Sequence, residues 1–226
     1  MYSGSRTDTY YLYIWMDADE TSHDIVNQSI DLSLGGNCTG ASKGEPFYAV
    51  YSADDTSLRF YKEQEGVIIE GQPYEGRTAT NVYQAYENDI YTYNTSTTRT
   101  TTPWDAVRDN VTKIVVEDEI KPHSLDNWFI FFQNTSSIDV TKLNTENVVS
   151  MNKTFGKTGE NITSSFSIVG LNNWNTSKVK DMNSVFNSAG YNTATFNIGD
   201  LSNWDTSNVI DMRFLFSTAG YNASSF

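Results

Sequence analysis

A tandem repeat in the second half of the chain constrains the possible folds more than any other feature of the sequence. A motif that starts at Leu171 recurs from Leu201 onward, and residues 188–192 recur as 218–222 with one exchange, Ser188 for Thr218. A unit of this size cannot bury its own apolar face, so each unit needs neighbours to pack against. The repeat therefore predicts stacked units. The predicted repeat core consists of Leu171, Trp174, Val179, Met182 and Phe186 in one copy and Leu201, Trp204, Val209, Met212 and Phe216 in the next.

Weaker copies precede these two. Val140, Val148, Met151 and Phe155 follow the same pattern one unit earlier, and a partial copy at residues 127–132 precedes Phe155 by a shorter interval. The repeats thus begin well before the clearest copies. Four units are predicted, near residues 111–137, 138–166, 167–196 and 197–226.

Spacing within each unit favours a short helix followed by a strand. Val179, Met182 and Phe186 occupy positions i, i+3 and i+7, which lie on one side of a helix. Ser177 precedes this run as a helix cap, and Gly190 follows it as a left-handed stop. Ser207 and Gly220 play the same parts in the last unit, while strands are predicted at residues 137–141, 166–171 and 196–201.

The repeat also resembles a known family. Its pattern Leu-x-x-Trp-Asn/Asp-Thr-Ser-x-Val-x-Asp-Met-x-x-x-Phe is similar to the signature of BspA-like leucine-rich-repeat surface proteins of bacteria. The resemblance covers residues 103–226, of which residues 111–122 and Asn127-Trp-Phe look like the segment that caps the repeats. Two features depart from the pattern: Leu143 replaces the Trp in the first full copy, and the later units are expanded by seven or eight residues.

The resemblance implies a fold and a setting. The expected fold is α+β: a short leucine-rich-repeat-type solenoid of parallel strands and short helices over residues 111–226, preceded by a small, mostly antiparallel β region. The implied function is adhesion or protein interaction in a secreted or cell-surface bacterial protein. No catalytic residues can be transferred from the family.

The part of the chain before the repeats is expected to form two smaller regions. Residues 1–42 contain short β-type runs at 10–15 and 29–34, which look like the remnant strands of an N-terminal β-domain. Residues 43–110 are predicted to form a small β region that caps the repeats, with strands at 47–51, 58–61, 67–69 and 80–86. The polar run at residues 94–103 predicts an exposed loop or a short linker.

Composition excludes several classes of function. Fifteen Lys and Arg residues against 28 Asp and Glu residues give a net charge of −13, which would repel a nucleic acid. The single cysteine, Cys38, allows no internal disulfide. No signal peptide or membrane-spanning run is present, so a signal and a membrane anchor are expected outside this sequence if the protein is exported.

Motifs of catalysis and metal binding are weak. The only histidines are His23 and His123, and no nucleophile motif accompanies them, so an enzyme is not expected. The cluster Asp17, Asp19 and Glu20 could bind calcium but is more typical of a solvated turn. No metal, cofactor or small-molecule substrate is therefore predicted. Asp181 and Asp211, as well as Trp174 and Trp204, could contact ligands, although a structural role in turns and core packing is favoured.

The sequence thus favours a surface-binding module. Its partner would be a protein or a glycan on a cell surface, held by the open face of the solenoid. The alternative is a structural spacer or an assembly subunit of a surface filament. The predicted binding residues are Asp139, Thr141, Asn197, Asp200, Tyr191 and Tyr221.

Overall fold

The computed structural model describes residues 43–94, 99–100 and 102–225. The chain divides into two units, residues 1–40 and 41–226, and all described residues belong to the second. The predictions made for residues 1–42, including the two β-type runs, His23 and the acidic cluster, lie outside the described residues.

Short strands dominate the secondary structure. The strands are β1 (Pro46–Ser52), β2 (Ser57–Tyr61), β3 (Pro73–Tyr74), β4 (Arg77–Thr78), β5 (Asn81–Tyr86), β6 (Tyr93–Asn94), β7 (Arg99–Thr100), β8 (Lys113–Val116), β9 (Ser137–Asp139), β10 (Ser165–Val169) and β11 (Thr195–Asn197). Two 3₁₀ segments, Pro103–Asn110 and Leu171–Asn173, are the helical elements of the described residues.

Seven of these strands form one mixed sheet in the order β11-β10-β9-β8-β2-β1-β5. β1 pairs antiparallel with β2 and with β5, so this end of the sheet is a meander. β2 then pairs parallel with β8, and the parallel pairing continues through β9, β10 and β11. The last four strands recur along the repeats, β8 near the start of the first predicted unit and β9, β10 and β11 at the boundaries between units, so the sheet joins the meander to the repeats.

Both faces of β1 are buried. Phe47, Ala49 and Tyr51 belong to the core shared with the repeats, whereas Tyr48 and Val50 belong to a second apolar cluster. That cluster is covered by residues of the segment between β2 and β5, such as Ile68 and Ala79. The predicted strand at residues 67–69 is wrong, because these residues form turns and bends of the covering segment.

The expected α+β solenoid of strands and short helices is wrong. The described residues form a seven-stranded mixed sheet and contain no α-helix. Residues 183–190, within the predicted helix, form a series of turns. Ser177 does not cap a helix, because its N–H and its hydroxyl both donate to Oδ1 of Asn175. Ser207 likewise donates its N–H to Asp205.

Backbone hydrogen bonding explains this difference. In the turn series, every second N–H donates to a carbonyl of the next unit instead of to its own segment, as from Phe155 to Val185 and from Phe186 to Leu215. The backbone groups that a helix would pair internally are therefore satisfied between units. The turns repeat every four residues, with Ser184 and Ser188 at φ of 59° and 57°. A four-residue period places Met182 and Phe186 on one side just as a helix would.

The turn series places equivalent side chains over one another. The rings of Phe155, Phe186 and Phe216 lie 5.4 and 5.2 Å apart and within 4° of parallel. Trp174 and Trp204 lie 6.0 Å apart at 3°. Leu171, Trp174, Val179, Met182 and Phe186 are buried, Leu201, Trp204 and Val209 are half-buried, and Met212 and Phe216 are each 41% exposed.

Gly190 ends the turn series in a conformation that favours glycine. Its φ is +56°, and a Cβ atom at this position would lie 2.7 Å from the ring of Phe196. The left-handed conformation at Gly190 was predicted, although as the end of a helix. The close approach lets the chain enter β11 with Phe196 stacked on Phe166.

Candidate functional site

The left-handed residues of the turn series form two columns across the units. Backbone bonds keep neighbouring units in register, as from Lys153 N–H to the Asn183 carbonyl and from Ser184 N–H to the Arg213 carbonyl. The backbone is therefore the same in each unit while the side chains differ. The first column contains Asn127, Lys153, Ser184 and Phe214, and the second contains Phe131, Lys157, Ser188 and Thr218, all with φ between 55° and 65°.

One pocket opens on these columns. Phe131, Lys153, Lys157 and Ser184 line it, and its volume is about 170 Å³. Tyr93, which belongs to β6, closes one side. The remaining lining residues are Ile130, Gly156 and Asn187.

Aromatic rings and cations meet in this pocket. The rings of Tyr93 and Phe131 lie 5.7 Å apart with an interplanar angle of 41°. Nζ of Lys153 lies 5.2 Å from the centre of the Tyr93 ring, and Nζ of Lys157 lies 5.9 Å from the centre of the Phe131 ring. The guanidinium of Arg108 lies 5.4 Å from the Phe131 ring. Such contacts hold cations over the electron-rich faces of the rings.

Lys153 differs from the other two cations in its partners. Arg108 pairs with Asp105 at 2.8 Å, and Lys157 approaches Glu160 at 3.9 Å. For Lys153, the described part of the chain offers no carboxylate within ion-pair distance, and the side chain is half-buried. Lys153 is thus a half-buried cation that lies over the Tyr93 ring without a carboxylate partner among the described residues.

Ser184 and Asn187 supply hydrogen-bonding groups. The Ser184 hydroxyl donates to Oδ1 of Asn183 at 2.7 Å, which leaves its oxygen as an acceptor. Oδ1 of Asn187 accepts from the Ser188 hydroxyl at 3.0 Å, so the amide offers its N–H donors to a ligand. The lining residues include no carboxylate and no imidazole. The pocket therefore presents two cations and several neutral hydrogen-bonding groups, an arrangement that can hold an acidic group.

The six predicted binding residues do not form one site. Asp139 and Thr141 lie together, because Oδ1 of Asp139 accepts the Thr141 N–H at 3.0 Å. Thr141 also lines a polar hollow of about 330 Å³ beside Glu119.

Asn197 and Asp200 lie together at the far end of the repeats. They line an open hollow of about 390 Å³ with Phe216. Both side chains stabilise turns, since Oδ1 of Asn197 accepts from Gly199 N–H and Oδ1 of Asp200 from Ser202 N–H. The bonds from Ser202 lower the pKa of Asp200.

Tyr191 and Tyr221 form a third location. Their rings stack at 5.1 Å and 7°, and Tyr221 is 65% exposed. This pair continues the stacking of equivalent side chains from unit to unit, which we call the ladder. The predicted residues are thus spread over three places.

The two aspartates that recur in the repeats have the structural role that was favoured. Oδ1 of Asp181 accepts the Asn183 N–H at 2.7 Å, and Oδ1 of Asp211 accepts the Arg213 N–H at 3.0 Å. The described residues contain no group of three His, Cys, Asp or Glu side chains placed to hold a metal ion. None of their helices has the length and hydrophobicity needed to cross a bilayer.

The sequence did contain a signal for the pocket. In the copy that begins at Val140, Lys153 and Lys157 stand where the next copy has Ser184 and Ser188. Two exchanges between serine and lysine, four residues apart, alter the charge of an otherwise similar unit. Tyr93 and Arg108 could not be found in this way, because they lie outside the repeats.

Comparisons with known proteins give one match. Residues 123–226, slightly less than half of the chain, match the model of a family described as Mycoplasma protein of unknown function, DUF285. The matched residues include Phe131, Lys153, Lys157 and Ser184 but neither Tyr93 nor Arg108. Neither the curated proteins nor the solved structures contain a match. The resemblance to BspA-like surface proteins stays a prediction.

Proposed function

We propose that this chain is a non-catalytic binding module that holds a terminal acidic sugar of a cell-surface glycan in the pocket formed by Tyr93, Phe131, Lys153, Lys157 and Ser184. The observation that carries the proposal is Lys153, a half-buried cation at a pocket with no carboxylate partner among the described residues. A bound carboxylate would supply the missing partner, and charge-assisted hydrogen bonds are stronger than neutral ones.

The remaining lining residues suit a sugar. The amide of Asn187 and the hydroxyl oxygen of Ser184 match the donors and acceptors of sugar hydroxyl groups. Tyr93 and Phe131 are both half-buried, so their rings offer apolar contact to the carbon–hydrogen face of a sugar ring.

The size of the pocket favours one terminal group. Pockets that bury whole drug-sized ligands occupy about 300–1,000 Å³, whereas this one has about 170 Å³. The module would therefore hold the end of a larger chain and leave the rest in solvent. The extracellular setting of the proposal rests on the resemblance to BspA-like surface proteins.

Binding of matched oligosaccharides to the full chain tests the proposal. The probes are two oligosaccharides that differ only in their terminal residue, glucuronic acid in one and glucose in the other, measured by biolayer interferometry. The acidic probe is expected to bind at least about ten-fold more tightly, because a hydrogen bond to a charged group contributes roughly 1.5–3 kcal/mol. Equal affinity for the two probes, or no binding of either, would refute the proposal.

A matched pair of double variants separates the pocket from general charge. Lys153→Gln with Lys157→Gln removes two positive charges from the pocket, and Lys178→Gln with Lys180→Gln removes two from exposed positions of the next unit. The first pair is expected to abolish the preference for the acidic probe, while the second leaves it unchanged. If both pairs weaken binding equally, the long-range field and not the pocket attracts the probe.

A further inference from the structure

One position of the turn series, directly before the second column of left-handed residues, carries a different residue in each unit. Successive units have Ile130, Gly156, Asn187 and Ser217 there. The backbone shows that these positions are equivalent, because the carbonyls of the last three each accept an N–H from the second column of the preceding unit. Among these four units, only the one with Gly156 has no side chain at this position.

Nothing in the local backbone requires a glycine at residue 156. Gly156 is not one of the residues with positive φ. A Cβ atom added to it would lie 3.4 Å from Cγ1 of Ile130 and 3.6 Å from the Lys153 carbonyl oxygen, which are ordinary van der Waals distances. Gly190 differs in both respects, since its φ is +56° and its added Cβ would lie 2.7 Å from the Phe196 ring.

The missing side chain leaves space in the candidate pocket. Gly156 is buried and yet lines the pocket, together with Ile130 of the preceding unit and Asn187 of the following one. Because the added Cβ would lie against Ile130, which lines the same pocket, the rest of a longer side chain would extend into it. The pocket has a volume of only about 170 Å³, so such a side chain would leave little room for a ligand.

We propose that Gly156 is the specificity-determining residue of the pocket: the space above it admits the acid group of the ligand between Lys153 and Lys157. This inference rests on the proposed function and adds to it the residue that lets a repeat unit bind. Two lysines at an open surface attract an anion only weakly, because water screens the charges. An acid group that enters the space above Gly156 leaves bulk water and can form charge-assisted hydrogen bonds with the lysines.

The two sides of this space also orient the ligand. The preceding unit contributes the apolar side chains of Ile130 and Phe131, and the following unit contributes the polar side chains of Ser184 and Asn187. The carbon–hydrogen face of a sugar acid therefore faces the preceding unit, and its hydroxyl groups face the following one.

Binding of the acidic probe to a Gly156→Asn variant of the full chain tests the inference. Asparagine is the residue that the next unit has at the equivalent position, and the substitution leaves both lysines in place. Affinity for the oligosaccharide ending in glucuronic acid is expected to fall at least about ten-fold in biolayer interferometry, which corresponds to about 1.4 kcal/mol. The control is Gly199→Asn, which adds the same side chain at the far end of the repeats, where nothing lies within 4 Å of the added Cβ. It is expected to keep the affinity of the original chain.

A smaller substitution covers the case in which Gly156→Asn disturbs folding. If thermal unfolding shows that Gly156→Asn is destabilised, Gly156→Ala decides instead, because its methyl group meets only ordinary contacts. Its affinity for the acidic probe is expected to fall about three-fold.

The outcomes separate this inference from the proposed function. If the original chain prefers the acidic probe and the Gly156 variants bind it equally tightly, the inference is wrong and the proposed function stands. If the original chain binds the acidic and the neutral probe equally, or binds neither, the proposed function fails and the inference fails with it. Equal weakening by Gly156→Asn and Gly199→Asn would also overturn the inference, because the space above Gly156 would not be the cause.

Discussion

The meander and the repeats share one sheet and one core but pack their aromatic rings in different ways. Around the meander the ring angles vary: Trp104, from the neighbouring 3₁₀ segment, meets Phe60 at 89° and Phe47 at 54°, while Trp128 stacks on Phe60 at 16°. In the repeats, Phe186 lies within 2° of parallel to Phe216. Parallel strands at a constant offset place equal residues over one another, whereas the meander must fit unequal residues together. A unique interlocking cluster and a repetitive ladder are thus two ways of filling the same core.

The largest difference in stability between variants of the meander's aromatic cluster and variants of the repeats is expected at Trp104. Trp104→Ala removes ring contacts with Phe47, Phe60 and Trp128 and the hydrogen bond to the Trp128 carbonyl. The free energy of unfolding is expected to fall by about 5 kcal/mol, the upper end for a buried Trp→Ala change. Denaturant unfolding followed by circular dichroism measures this loss. Trp204→Ala, at a half-buried position of the ladder, is the control and is expected to cost less than half as much.

Removing one ring from the ladder is expected to have the next largest effect. Phe186→Ala leaves a gap between Phe155 and Phe216 and is expected to lower the free energy of unfolding by about 3 kcal/mol. Phe216→Ala, which removes a ring that is 41% exposed, is expected to cost about 1 kcal/mol. Equal losses at the two positions in denaturant unfolding would show that burial between neighbours does not determine the stability of the ladder.

A glycine substitution tests how closely the units must approach. Gly190→Ala forces a left-handed alanine and a Cβ atom 2.7 Å from the Phe196 ring, so a loss of roughly 2 kcal/mol is expected. Gly199→Ala is the matched control, because its φ is +74° but nothing lies within 4 Å of the added Cβ. It is expected to lose about 1 kcal/mol, the cost of the left-handed backbone alone. Thermal unfolding of the two variants gives the comparison.

The ladder could be predicted in part from the sequence. The repeat at Leu171 and Leu201 predicted stacked units, and the strands β9, β10 and β11 overlap the extended segments between the motifs. The helices were wrong because spacing i, i+3 and i+7 fits both a helix and turns that repeat every four residues. Over two turns, the helical period of about 3.6 and a period of four differ too little to be told apart.

Most of the candidate pocket could not be predicted. Lys153 and Lys157 can be noticed in the sequence because they replace the serines of the next unit. Tyr93 and Arg108 lie outside the repeats and come near these lysines only in the folded chain. Polar residues at a strand end or shortly after it, such as Asp139 and Asp200, look like ligand groups in a sequence, yet their oxygens already accept backbone N–H groups. The residue types that accept backbone N–H groups in tight turns are also the ones that bind ligands.

Stability at acid pH is expected to depend on the meander. Burial opposes ionisation of Asp55, but hydrogen bonds from Ser57 and Arg77 lower its pKa to about 2. Since an unfolded Asp has a pKa of about 3.9, the contribution of Asp55 is present above that pH and is lost as the pH falls toward 2. Unfolding of Asp55→Asn across pH 2 to 6 is expected to show a smaller decline on acidification than the original chain. An unchanged decline would mean that Asp55 is not stabilised in this way.

In the repeats, stability is expected to depend on pH in the opposite direction through Asp126. This is the smallest of the expected effects. Burial raises the pKa of Asp126, and the hydrogen bonds from the Ser150 hydroxyl and the Asn152 N–H lower it by less than burial raises it. Its contribution is therefore fully present below the unfolded pKa of about 3.9 and is lost as the pH rises through the raised pKa of the folded state. Asp126→Asn keeps the side-chain oxygen that accepts these bonds but cannot ionise, so the loss of stability above pH 4 is expected to become shallower. If Asp126→Asn instead steepens that loss, the bonds to Ser150 and Asn152 outweigh burial and the carboxylate stabilises the turn.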